Sequence, residues 1–294
     1  MRAALLAALA LAGCAPQPAQ REASVLPTVV SLNPCTDAVL AEIAAPGQML
    51  AISHYSHDPR ATSMDIRTAH RFAATGGTVE EVLALDPDIV VAGSFLPPAT
   101  RAAFDDLGIR VETFGIAATV EESADQVERL ADAVGRPAAG KALAARIARA
   151  AEPVAAAKPV STVLWQPGGI VPGEGALVSD LLRRAGFVSH SAARGYGQAD
   201  HLSLEQVLAD PPELLLVAGD TPAQRHPALR ELDRTRAERF DPALLYCGGP
   251  TIERAMGRLR EIRTSLSPLK GRDLGPQAER QTARGPRLRG GSVL

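Results

Sequence analysis

Short apolar runs alternate along the chain with longer stretches that carry apolar residues at helical spacing. Thr28 to Leu32, Met49 to Ser53, Asp88 to Ala92 and Arg110 to Phe114 read as strands in the first half, and Val160 to Trp165, Glu213 to Ala218 and Ala243 to Tyr246 in the second. The alternation predicts an α/β protein, with parallel sheets and helices packed on their faces.

One segment occurs twice. Thr78-Val79-Glu80-Glu81-Val82-Leu83-Ala84-Leu85-Asp86-Pro87-Asp88-Ile89-Val90-Val91 matches Ser203-Leu204-Glu205-Gln206-Val207-Leu208-Ala209-Asp210-Pro211-Pro212-Glu213-Leu214-Leu215-Leu216. In each copy a capping box (Thr78 with Glu81, Ser203 with Gln206) opens a helix, proline ends the connection, and an apolar strand runs to a glycine turn at Gly93 or Gly219. Between the copies lies a helix-forming stretch, Thr119 to Ala157, broken only at Gly135-Arg136-Pro137. It predicts a medium helix and then a long one from about Ala138, reaching on the order of 30 Å. The expected architecture is therefore two similar α/β lobes, residues 28–118 and 159–269, joined by one long helix within residues 119–158, with a ligand cleft between them.

The ends differ in character from this body. Met1-Arg2 opens an apolar run that closes on Leu11-Ala12-Gly13-Cys14, so residues 1–13 read as a lipoprotein signal peptide and Cys14 as the lipidation site. The Pro/Gln/Ala composition of residues 14–27 suits a tether, and residues 270–294 suit a disordered basic tail. No later run is long enough to span a bilayer. A net charge of -2 and only 3% aromatic residues give no basis for binding nucleic acid.

In open parallel sheets, ligands sit beyond the carboxyl ends of the strands. The strand ends and turns there supply the candidate ligand-binding residues Asn33, His54, Tyr55, His57, Ser94, Phe95, Trp165, Gln166, Arg194, Tyr196 and Gly248. Glycines that expose backbone, together with a few aromatic and polar groups, suit a large amphipathic ligand. His54-Tyr55-Ser56-His57-Asp58 contains metal-ligating groups, but His70, His190, His201 and His226 form no second half of a site, so no dedicated metal site is expected and the loop reads as an exposed one that contacts a chelate's periphery, with heme held by Tyr55 or His54 left open. Cys35 and Cys247 fall at strand ends of different lobes; a disulfide and two unpaired small buried residues are both open. An enzyme reading would use Ser53 or Ser94 beside His54, or a phosphate at Gly168-Gly169 or Gly248-Gly249. The chain contains no Gly-x-Ser-x-Gly elbow, phosphate loop, dinucleotide fingerprint or His-Glu-x-x-His, so no catalytic residue is assigned.

Ser31-Leu32-Asn33-Pro34-Cys35-Thr36-Asp37, the two Glu-Val-Leu-Ala and Gln-Val-Leu-Ala segments, His226-Pro227-Ala228-Leu229 and Cys247-Gly248-Gly249-Pro250 occur in an order that resembles the substrate-binding proteins of cobalamin and ferric-siderophore ABC importers, the helical-backbone class of periplasmic binding proteins. The resemblance covers about Val29 to Arg263. It implies lobes flanking one rigid helix, and a monomer in the periplasm or cell envelope, lipid-anchored to the membrane, that is not an enzyme. Its ligand would be a metal chelate with no resident cofactor: a corrinoid such as cobalamin, slightly favoured, or a ferric siderophore or heme. Its partner would be an ABC permease dimer with its ATPase. The family's docking pattern falls on Glu80 and Glu205, where a carboxylate also complements the dipole of the helix it opens.

Overall fold

The computed structural model describes residues 26–155 and 158–266. The signal peptide with Cys14, most of the tether and the basic tail lie outside the described residues. The first lobe runs β1 (Val29–Ser31), α1 (Pro34–Ile43), β2 (Met49–Ser53), α2 (Ile66–Ala69), β3 (Ala74–Thr75), α3 (Val79–Leu83), β4 (Ile89–Gly93), α4 (Pro98–Asp106) and β5 (Arg110–Phe114). Its strands form one parallel sheet in the order β3-β2-β1-β4-β5. Helices α5 (Val120–Ala133) and α6 (Pro137–Ala150) follow. The second lobe runs β6 (Val160–Trp165), α7 (Leu177–Arg184), β7 (Phe187–Ser189), α8 (Leu204–Ala209), β8 (Leu214–Val217), β9 (Arg236–Arg239) and α9 (Thr251–Leu266), with a parallel sheet ordered β7-β6-β8-β9.

Strand parity organises the core. Val29, Ile89 and Val91 of the first sheet and Leu164, Leu214 and Leu216 of the second point into one apolar cluster shared with Leu40 of α1, Val127 and Leu130 of α5, Leu143 and Ile147 of α6, and Ile252, Met256 and Leu259 of α9. Their neighbours point the other way: Val30 and Val90 into an outer cluster of the first lobe, Val163, Trp165, Leu215 and Val217 into one of the second. Period-two alternation thus divides each sheet between a common helical layer and its own lobe. The helical connection takes a different form from the expected medium-then-long pair. Gly135, at a φ of 72°, ends α5, and Pro137 opens α6, so the linking segment is a hairpin of two 14-residue helices. At this length α6 spans about 21 Å rather than the expected 30. Gly140 allows the two helices to meet, since a Cβ there would lie 2.3 Å from that of Ala131. The longest described helix is the 16-residue α9, which packs on α6 and α7. Arg146 of α6 joins both lobes across the common layer, reaching Glu42 of α1 at 2.7 Å and Glu253 of α9 at 2.8 Å.

The repeat is structural. α3 leads to β4 and α8 to β8, each strand lies beside the first strand of its lobe, and Val82 and Val207 are buried at matching positions. Only the second copy completes the capping box, because Glu81 turns away from the first cap to accept from Thr75 Oγ1 (2.8 Å) and Gly76 N (2.6 Å). Ala243 to Tyr246, expected as a strand, instead follows Asp241, whose carboxylate accepts from Ala243 N and caps a single 3-10 turn, Pro242–Leu244.

Candidate ligand cleft

A cleft of about 1040 Å³ opens between the carboxyl ends of the two sheets. The first lobe contributes Asn33, the Gly93–Phe95 turn and Phe114 to Ala118; α5 contributes Ser123, Gln126, Val127 and Leu130. The second lobe contributes Gln166, Pro172 to Val178, Tyr196 to Gln198 and Leu245 to Gly249. The walls are largely apolar. Phe95 and Ile116 are 82% and 81% exposed and Tyr246 is 46% exposed, although each is large and apolar. Such surface in the mouth of a concavity favours an amphipathic occupant.

The polar groups are mainly carboxamides. Asn33 caps α1 by accepting from Cys35 N at 2.8 Å, and its Nδ2 lies against Gly93, where a Cβ would come within 2.7 Å. Gln198 accepts from Gly173 N at 3.0 Å, while Gln126 and Gln166 stand half-buried in the wall. No lysine, arginine or histidine lines the cleft among the described residues; Glu174 is its charged lining side chain, and it is paired with Arg183 at 2.7 Å.

Cys35 and Cys247 form a disulfide in the wall, with Cα atoms 5.2 Å apart. This decides between the two possibilities open from sequence. The next residues seat the segment on the helices: Gly249 N donates to Ser123 Oγ at 2.8 Å, and a Cβ on Gly248 would lie 2.4 Å from that hydroxyl.

Six of the eleven candidate residues, Asn33, Ser94, Phe95, Gln166, Tyr196 and Gly248, line the cleft. Five do not. Trp165 is 1% exposed, because its strand parity turns it into the outer cluster of the second lobe, where Nε1 donates to Leu202 O at 2.8 Å. Arg194 is drawn off by Asp210 and by the carbonyl of His190 (3.1 Å). His54, Tyr55 and His57 form a 3-10 turn at the end of β2, which lies on the far side of β1 from β4 and β5. The rings of His54 and Tyr55 meet at a tilt (centroids 4.1 Å apart), as do those of His57 and His70 (4.5 Å), and the described residues contain no cluster of three or more metal-ligating side chains. Sequence reasoning missed Gln126, Gln198, Ile116 and Tyr246. Gln198 lies two residues beyond Tyr196, and Tyr246 stands at the end of the strand that did not form.

Two buried groups have shifted protonation. Asp37 of α1 accepts from Ser56 Oγ (2.6 Å) and Ser53 N (3.0 Å), fastening the His54–His57 turn to the helix. Burial raises its pKa to about 7, against the lowering effect of Ser31, Ser56 and Ser53. Burial also lowers the pKa of His190, which is held between Ser161 Oγ and Asp210 O, with Arg194 reinforcing the shift. Both positions lie outside the cleft wall. Glu80 and Glu205 are exposed, each the second residue of its helix.

The chain belongs to the periplasmic binding protein family, whose model matches residues 29–237. No curated protein sequence matches it. Solved structures share the fold. A periplasmic heme-binding protein, RhuT, from Roseiflexus sp. RS-1 is similar at a TM-score of 0.61 and 20% identity, covering 82% of this chain and 98% of that one. The periplasmic vitamin B12 binding protein BtuF of Vibrio cholerae is similar at 0.62 and 19%, covering 82% and 97%. A possible iron-binding periplasmic solute-binding protein from Staphylococcus epidermidis is similar at 0.64 and 13%, covering 83% and 99%. No described helix is long and apolar enough to cross a membrane.

Proposed function

We propose that the chain is the extracytoplasmic substrate-binding component of an ABC importer and that its cleft takes a corrinoid. The carrying observation is the lining: a cleft of about 1040 Å³ with Asn33, Gln126, Gln166 and Gln198 set among apolar walls, and no cationic side chain among its lining residues. That volume lies at the upper end of small-molecule sites. Carboxamides both donate and accept, matching a periphery of amides, whereas a polyanionic ferric catecholate calls for arginine or lysine. Arg194, the cation expected from sequence, is committed to Asp210 instead. In this reading Glu80 and Glu205 meet arginines of the two permease subunits, one from each lobe. Lipid on Cys14 holds the monomer at the membrane, and the permease ATPase drives release.

Heme is a second reading, favoured by one observation: Tyr196 and Tyr246 bring two phenols into the lining, where a phenolate could ligate iron. Purification of the protein from its own envelope, followed by absorption spectroscopy and mass spectrometry, separates the two. A corrin spectrum supports the first reading, a Soret band the second, and a catecholate chromophore contradicts both.

A further inference from the structure

The two pseudo-symmetric glutamates differ in what stands behind them. In the second lobe Tyr196, a cleft residue, accepts at its phenol oxygen from Gln206 Nε2 at 2.9 Å. The same carboxamide accepts from Ser203 N at 2.8 Å, and Gln206 N donates to Ser203 Oγ at 3.3 Å. Glu205 stands in the first turn of the helix that this cap opens. Three hydrogen-bonded residues thus run from the cleft wall to the cap of the turn that carries an exposed carboxylate.

The first lobe has no such chain. Glu81 occupies the position equivalent to Gln206, but its carboxylate goes to Thr75 Oγ1 and Gly76 N, and neither residue lines the cleft. The change from Glu81 to Gln206 has a chemical reason. A carboxylate only accepts, whereas a carboxamide accepts from the cap with one end and donates to a phenol with the other.

We infer that Gln206 is a positioning residue that couples the cleft to the second-lobe docking group, so that a ligand settling against Tyr196 is registered at Glu205 and not at Glu80. The inference rests on the reading of Glu205 as a docking group. Displacing the Tyr196 ring alters its bond to Gln206, and the carboxamide passes the change to the Ser203 cap that orients Glu205. Hydrogen-bonded side chains in one network carry such coupling where distant pairs do not.

The test follows the side-chain carboxyl resonances of Glu80 and Glu205 by NMR, with cyanocobalamin and, separately, hemin as probes, in the full chain and in Tyr196→Phe and Gln206→Ala. Tyr196→Phe keeps the ring in the cleft and removes the hydroxyl that Gln206 donates to. Gln206 does not line the cleft, so the affinity of Gln206→Ala for the probe should stay within about fivefold of the parent, the scale of one neutral hydrogen bond. The probe should move the Glu205 resonance in the parent, with the response lost in both variants and Glu80 silent throughout. A Glu205 response of equal size in Tyr196→Phe overturns the coupling. So does a matching response at Glu80, which would make the signal a movement of whole lobes. If neither probe binds the parent, the cleft reading itself fails. If the coupling is present but cells carrying Glu205→Arg take up the ligand normally, the docking reading is the part that falls.

Discussion

Cys35 and Cys247, separated by 212 residues of chain, meet in the cleft wall and tie the first turn of α1 to the segment that leads into α9. Because the bond closes so long a loop, its removal should cost about 2–5 kcal/mol of stability. Replacing both cysteines with serine, or adding reductant, should lower the denaturant midpoint. An unchanged midpoint would show that the common helical layer alone fixes the wall.

Trp165 should behave as a core residue. Trp165→Ala is expected to destabilise the fold by about 3–5 kcal/mol through cavity formation and the orphaned Leu202 carbonyl. In the parent, acrylamide should quench its emission only on unfolding. Ready quenching of the folded protein would place the indole at the surface.

The aromatic contacts of the ligand should come from Phe95 and Tyr246. Truncating either to alanine should weaken binding more than tenfold, since anchors at a desolvated centre contribute upward of ~2 kcal/mol each. Calorimetry with the natively bound chelate measures this directly. Full affinity in both variants would remove the two aromatic rims, one from each lobe, from the site.

Asp37 sets a pH dependence of stability. Its pKa is about 7 in the folded chain, against 3.8 for the ordinary group. Between those values the folded chain keeps a proton that the unfolded chain releases. The contribution is therefore fully present below the lower value, declines as pH rises, and is lost above about 7. Asp37→Asn removes this slope, so its gain in melting temperature over the parent should be larger near pH 8 than near pH 5. Burial gives His190 a shift that favours its neutral form, which acts in the opposite direction and costs stability as pH falls through the unfolded value. A gain from Asp37→Asn that is equal at both pH values would show that the carboxyl is not the titrating group.

Reversing charge at Glu80 and Glu205 together should abolish uptake and leave ligand affinity intact, because like charges then face the permease arginines at a cost of several kcal/mol. Uptake by cells, measured beside calorimetry on the purified double variant, decides it. Normal transport contradicts the docking assignment, and a joint loss of affinity moves these residues into the site or the fold.

The central strands were legible because a parallel sheet buries both faces and leaves apolar runs such as Ile89-Val90-Val91 and Leu214-Leu215-Leu216. The edges were not: β9 reads Arg-Ala-Glu-Arg, largely exposed, and β3 has two residues. The rule that ligands lie at carboxyl ends found Asn33, Ser94, Phe95 and Gln166. Applied without strand order it also admitted His54 to His57, since nothing in the sequence puts β2 on the remote side of β1. Trp165 shows a finer gap. The strand itself was placed correctly, but the face its last residue takes depends on which layer packs on which side.

Although each keeps an outer cluster of its own, the two sheets share one apolar layer and cannot part without exposing it. Heating should melt them in a single cooperative transition, and limited proteolysis should release no fragment the size of a lobe. If the cleft is the proposed ligand site, a receptor so pre-organised would surrender little conformational entropy when its cargo arrives, and affinity differences between ligands should appear in residence time. In the proposed importer role, filled and empty forms would then present nearly the same outline to the membrane, and the permease would tell them apart by local chemistry at the mouth.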